Sequence, residues 1–405
     1  MSSTRSRCCV TALTALTAVA ALAASPFAMT PGAEAAGLTP PDQDPFYGAP
    51  ADLASHPNGA VLRSRSVTVT GLGTLLPVRS WQVLFKSTDS HGQPVADATT
   101  IIVPAVPYLG GGARPLLSYQ TAEDSLGTVC APSYTLRAGT EKELSLMAPA
   151  LLRGWAVVVT DYEGPRSQYG AGAQAGHAVL DGITAALAFR SAGLAASTPI
   201  GLMGYSGGGL ATAWAAELQG SYAPGLRVVG VAEGGAPADL KAAFDVIDGS
   251  VFAGLGFGAI VGISRAYPEM DIDSVLNDGG RQLVRDVASA CAAELAARYA
   301  FQRLDSFTTV PDAVDLPQFA AVLAATRLGQ RTPVAPIFNY HSISDELIPI
   351  ATDDALVAKY CSEGVPVLQY RDPLSGHIVL AVTGAPLAIG YLADRFAGKP
   401  APSNC

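Results

Sequence analysis

A chain of 405 residues with 49% apolar and only 15% charged side chains is long enough to bury a large core and too apolar to remain an extended disordered polymer. Its net charge of −9 comes without a basic cluster, so the electrostatic footprint needed for nucleic-acid binding is missing. No His-Glu-x-x-His or Cys-x-x-Cys spacing occurs, which argues against metal-assisted hydrolysis and against a redox dithiol.

Residues 1–35 read as a secretory signal peptide. Arg5 and Arg7 precede an apolar run over 10–24, and Ala33-Glu34-Ala35 supplies a small-residue cleavage site near Ala35. The run is too short for a bilayer span, contains several threonines and lacks a basic stop-transfer flank, so the mature chain is expected to be secreted with no transmembrane segment. Cys8 and Cys9 leave with the peptide. The remaining Cys130, Cys291, Cys361 and Cys405 form an even set, which in an exported chain implies two disulfides with three connectivities open.

Residues 36–65 are rich in Pro, Gly and Ala and read as a surface arm, with regular structure beginning near Ser66. Short apolar, β-branched runs then predict strands at 67–70, 81–85, 99–103, 116–119, 156–160, 200–203, 228–232, 337–340 and 367–370. Helical segments at 141–153, 175–192 and 208–219 separate the later strands. Strands alternating with helices imply a mostly parallel central sheet covered on both faces, with an antiparallel start.

Between 237 and 331 the strand rhythm gives way to Ala-rich, helix-compatible sequence, which reads as an inserted helical cap or lid. The core is then split into 36–236 and 332–405. Within the insertion, the apolar and Gly-rich stretch 251–263 reads as the cap's own core, with an acyl-chain tunnel or interfacial surface as the alternative.

A serine hydroxyl needs a neighbouring base, and the base needs an orienting group. Ser206 lies in Gly204-Tyr205-Ser206-Gly207-Gly208, directly after an apolar strand and before an Ala-rich helix. That is the context of a nucleophile elbow, where flanking glycines relieve crowding in a strained turn. Gly-x-Ser-x-Gly alone is weak in a chain with 42 glycines; its context carries the reading. In the α/β-hydrolase order the acid and then the histidine follow the serine. Only His341 and His377 do so. His341 ends a strand and reads as structural, whereas His377, in Ser375-Gly376-His377, sits in a small-residue loop and is the candidate base. Asp345 follows the strand 337–340 and is the candidate acid; Glu346 and Asp353 are alternatives, and a loop-capping role is the bland one. The amide of Gly207 is positioned as one oxyanion donor, and a backbone N–H within 120–125 is expected as the second.

These motifs, together with Tyr119-Gln120-Thr121-Ala122-Glu123-Asp124-Ser125 and Asp161-Tyr162-Glu163-Gly164-Pro165, resemble the secretory lipase family, the fungal lipase A-like branch of the α/β-hydrolase superfamily. Singly they are weak; in this order, over roughly 40–405, they are fairly specific. The resemblance implies a lipase or carboxylesterase acting on acylglycerols or other lipid esters, small or aggregated, at a transient lipid–water interface. It also implies no cofactor. It further implies Asp124 as the second oxyanion contact and disulfides Cys130–Cys291 and Cys361–Cys405. An acyltransferase or exopeptidase on the same scaffold is a competing reading, since fold and triad fix neither acceptor nor scissile bond. A secreted binding protein that keeps the fold without catalysis is another.

Overall fold

The computed structural model describes residues 37–72 and 76–405. The signal peptide expected over 1–35, with its cleavage site near Ala35, lies outside the described residues. Among the described residues nine strands are found: β1 (Val61–Val67), β2 (Val78–Thr88), β3 (Pro94–Pro104), β4 (Leu116–Gln120), β5 (Ala156–Thr160), β6 (Ile200–Tyr205), β7 (Val228–Gly234), β8 (Ile337–Ser342) and β9 (Val367–Asp372). They form one sheet in the order β1-β2-β3-β5-β4-β6-β7-β8-β9. The pairings from β1 to β5 are antiparallel, and every pairing from there to β9 is parallel.

The central strands are apolar on both faces because both faces are covered. In β5, Ala156 and Val158 pack toward helices Gly172–Ala188, Gly207–Tyr222 and Ile350–Ser362, whereas Val157 and Val159 pack toward Leu144–Leu152 and Ala385–Phe396. Alternating side chains thus feed two separate cores. Among the described residues no single helix is long and apolar enough to cross a membrane.

The first strand differs from the expectation. It covers Val61–Val67 instead of 67–70, inside the stretch read as a surface arm. As the sheet's edge it pairs only with β2 and carries Arg63 and Arg65, so it lacks the continuous apolar run that marks the buried strands. Val69 and Leu72 leave the sheet and enter the core, and the Thr70 amide donates to the Leu136 carbonyl at 2.9 Å. The helix expected at 175 begins at Gly172, whose missing side chain admits the Trp214 ring.

Between β7 and β8 the chain makes five α-helices among the described residues: Leu240–Ile247, Ala253–Ala266, Asp278–Val287, Ala292–Arg298 and Pro317–Ala325. They enclose their own apolar core, built on Phe257, Leu283, Leu295 and Phe319. A smaller cluster of Ala243, Ile247, Leu347 and Ile348 joins the first of these helices to the loop after β8.

Candidate active site

The C-terminal ends of β4, β6, β8 and β9 lie along one edge of the sheet, which is where open α/β sheets present functional groups. From β6 the chain turns sharply at Ser206, with φ 58° and ψ −124°, and enters helix Gly207–Tyr222. A non-glycine residue at positive φ is strained and is held by its surroundings. Here the Ser206 amide donates to Gly234 O at 2.9 Å, and the Leu210 amide donates to Ser206 O at 2.9 Å. The flanking glycines permit this turn. A Cβ on Gly204 would strike Gly208 O, and one on Gly208 would strike Gln120 O.

Ser206 Oγ lies 2.8 Å from His377 Nε2, and His377 Nδ1 lies 2.7 Å from Asp345 Oδ2. Asp345 is fixed from its other oxygen, Oδ1, which accepts the amides of Leu347 at 2.9 Å and Ile348 at 2.7 Å. Despite burial, hydrogen bonds from His341 and His377 hold the Asp345 carboxyl well below the ordinary carboxylate range. The structure therefore brings Ser206, His377 and Asp345 together and assigns the two alternative acids elsewhere. Glu346 Oε2 accepts the His377 amide at 2.8 Å, and Asp353 binds Arg371 Nη2 and Asn339 Nδ2 at 2.7 and 2.9 Å.

The loop after β4 carries Asp124 to the start of the helix that follows Ser206. A Cβ on Gly207 would run into Asp124 Oδ1, so the carboxyl lies against the Gly207 backbone. Several backbone amides of this loop are already committed. Ala122 N donates to Glu143 Oε1 at 2.9 Å, Glu123 N to Thr121 O at 2.9 Å, and Ser125 N to Glu163 Oε2 at 3.4 Å. Three buried side-chain oxygens of the loop have no protein partner, Thr121 Oγ1, Glu123 Oε2 and Asp124 Oδ1, and of these Asp124 Oδ1 lies against Gly207. Burial raises the pKa of Asp124, against the pull of Lys142 and His377.

Beside Ser206 opens a narrow apolar cavity of about 70 Å³, walled by Tyr169, Leu240, Phe244, Leu255, Ile260 and Leu347 among others. Helix Ala253–Ala266 contributes to two surfaces at once. Ala253, Phe257 and Val261 enter the insertion's core, while Leu255, Gly256, Ala259 and Ile260 face this cavity. The stretch 251–263 thus contributes to the insertion's core and also lines the cavity beside Ser206. A larger cavity of about 390 Å³ lies between Pro41–Gly48 and Asp97 and Asp161; Ser206 does not line it.

The cysteines pair as Cys130–Cys291 and Cys361–Cys405, with Cα separations of 5.6 and 5.4 Å. The first bridge ties the segment after the Asp124 loop to the helical insertion.

A family model described as secretory lipase matches residues 131–404. The chain belongs to the secretory lipase family. A protein named probable inactive lipase MT1628, from Mycobacterium tuberculosis, is 40% identical over 372 residues, covering 89% of this chain and 83% of that one. Lipase A of Arthroderma benhamiae is 36% identical over 387 residues, covering 90% and 82%. The X-ray structure of Candida antarctica lipase A in its closed state superposes with a TM-score of 0.85 at 29% identity, covering 91% of this chain and 90% of that one. The fold is accordingly that of an α/β-hydrolase.

Several residues of this secretory lipase's site were silent in the sequence. Glu143 accepts the Tyr119 hydroxyl at 2.8 Å as well as the Ala122 amide, and burial pushes it up to about 7. Glu163 braces the Asp124 loop, and burial raises its pKa well above the ordinary range. Tyr205 stacks obliquely on His377, with centroids 4.9 Å apart, and its hydroxyl donates to His377 O at 2.9 Å. Glu163 stood in the Asp-Tyr-Glu-Gly-Pro block and Tyr205 in the serine motif, but neither position disclosed its task.

Proposed function

We propose that this chain is an exported lipase that hydrolyses acylglycerols or other lipid esters through an acyl-enzyme on Ser206. The observation that carries the reading is the unbroken line from Ser206 Oγ through His377 to Asp345, at 2.8 and 2.7 Å, opening onto an apolar cavity. Nδ1–H of His377 donates to Asp345, an assignment drawn from the partner's being an acceptor, and this leaves Nε2 to receive the serine proton. Ser206 Oγ attacks the ester carbonyl, and His377 returns the proton to the departing alcohol. Water then attacks the acyl-enzyme by the same route.

The tetrahedral oxyanion is stabilised by the Gly207 amide at the helix N-terminus and by the Asp124 carboxyl. A carboxyl donates only when protonated, and the burial-raised pKa of Asp124 supports that form. The acyl chain enters the cavity under the insertion, so 237–331 acts as a cap over the acyl site. Leu374, Ile378, Val379 and Val382 are exposed around His377, an apolar rim suited to a transient lipid–water interface. The secretory family and the two disulfides support export, with a signal peptide cleaved near Ala35.

The Mycobacterium tuberculosis relative is named as probably inactive, which keeps a non-catalytic binding protein as the second reading. The complete Ser206–His377–Asp345 line favours catalysis. An organophosphonate ester discriminates the two: an adduct mapped to Ser206 by mass spectrometry is expected, and an unreactive Ser206 overturns the proposal. Acyl preference is then read from a series of p-nitrophenyl esters from acetate to oleate.

A further inference from the structure

His341 is a fully buried side chain that the steps above do not use. Its Nε2 lies 3.1 Å from Ile348 O and 3.2 Å from Asp345 Oδ2, and its Nδ1 lies 3.5 Å from Asp353 Oδ2. Both ring nitrogens therefore face only acceptors. A neutral imidazole would turn one bare lone pair onto an oxygen, a costly arrangement where water is excluded. The imidazolium directs a proton to the oxygens on both sides, with an ion pair and no hydrogen bond across the 3.5 Å to Asp353.

We propose that His341 is a positioning residue that acts as a fixed buried cation behind the triad, holding Asp345 in place and tempering the negative charge that Asp345 presents to His377. The inference rests on the hydrolytic reading of Ser206. The charged and titratable groups around His341 come from four directions. The loop after β8 brings Asp345 and Glu346, helix Ile350–Ser362 brings Asp353, β9 brings Arg371, and β7 brings Glu233 through Asn339. Arg371 binds Asp353 Oδ2 at 2.7 Å and Asn339 Oδ1 at 2.7 Å. Glu233 is pushed up to about 8 by burial. With Glu233 neutral, the buried Asp345 and Asp353 face His341 and Arg371, and Arg371 also pairs with the exposed Asp354 at 2.8 Å. Burial alone would strip His341 of its proton, but the carboxylates of Asp345 and Asp353 raise it to about 9.

The consequence concerns working pH. A carboxylate that faced His377 alone would keep the imidazolium to higher pH and silence the base in mildly acidic surroundings. Sharing Asp345 with a second cation weakens that pull. Removing the charge in His341→Gln leaves one excess negative charge beside His377, so the acid limb of the kcat/KM profile moves upward by about one pH unit, with kcat more affected than KM.

Two measurements test this on the full mature protein. Nitrogen-15 NMR of histidine-labelled wild type is expected to show His341 with protons on both ring nitrogens through pH 8; a neutral His341 at pH 7 overturns the proposal. The kcat/KM profile on a p-nitrophenyl ester is expected to shift upward in H341Q; an unmoved limb in a variant that melts cooperatively overturns it. Should H341Q fail to fold, the wild-type spectrum still decides. Should wild type hydrolyse no ester, the hydrolytic reading falls while the NMR result stands by itself.

Discussion

The carboxyl of Asp124 stands in the space that a side chain on Gly207 would occupy, against the backbone that begins the helix after Ser206. The amides of Ala122, Glu123 and Ser125 are committed to Glu143, Thr121 and Glu163, and Asp124 Oδ1 is buried there without a protein partner. Asp124→Ala is expected to lower kcat by about 10²- to 10³-fold, the usual cost of one oxyanion donor. Asp124→Asn keeps a donor that does not titrate, so it retains most of the activity and loses any alkaline decline due to Asp124. Steady-state profiles of the two variants between about pH 6 and pH 10 check this; an Asn variant as impaired as the Ala variant would rule out donation by the side chain.

Stability is expected to fall on going from about pH 6 to about pH 9.5, and the sign follows from groups of two kinds. His341 has a folded pKa of about 9, above its ordinary value of 6.5, so its contribution is complete below about 6.5 and lost as pH rises through 9. That single group is worth about 3 kcal/mol as an order of magnitude. Glu143 and Asp161, each pushed up to about 7 by burial, and Glu233, pushed up to about 8, favour the neutral acid in the folded state. Their unfolded counterparts ionise near 4, so they too withdraw stability as pH rises. Urea midpoints at both pH values measure the effect; an equal or higher midpoint at the alkaline end contradicts it.

The grouping of Ser206 with His377 was legible because two independent constraints met in the sequence. The glycine-flanked Ser206 followed an apolar strand, and chain order left only two later histidines. His377 in its small-residue loop, rather than His341 at a strand end, follows from placement alone. The role of His341 was not legible, since it depends on helix Ile350–Ser362 folding back to set Asp353 against the ring. Glu143 and Glu163 were hidden for a similar reason: each meets the Asp124 loop only after β4 and β5 lie side by side. The edge strand β1 escaped because one-sided pairing permits arginines where buried strands require apolar residues. In the insertion, Ala and Gly periodicity disclosed helices but not which face of Ala253–Ala266 borders Ser206.

Ile260 marks the boundary between two cavities. It lines the space beside Ser206 and also a smaller one of about 30 Å³ enclosed by residues including Phe257, Leu283, Phe307 and Phe319. Ile260→Ala is expected to join them and to raise the ratio of kcat/KM for laurate over butyrate p-nitrophenyl esters by about tenfold, the scale of one or two methylene contacts. A ratio equal to that of wild type would mean that the acyl chain runs elsewhere.

The most direct measurement is hydrolysis of p-nitrophenyl butyrate by wild type and by Ser206→Ala, with cooperative melting verified for both. Wild type is expected to turn over the ester, and the variant to lose at least about 10⁴-fold in kcat, as removal of a nucleophile acting with its base requires. Equal rates in the two proteins, or no hydrolysis by wild type of any ester from acetate to oleate, would contradict the assignment of Ser206 as the nucleophile of a lipase.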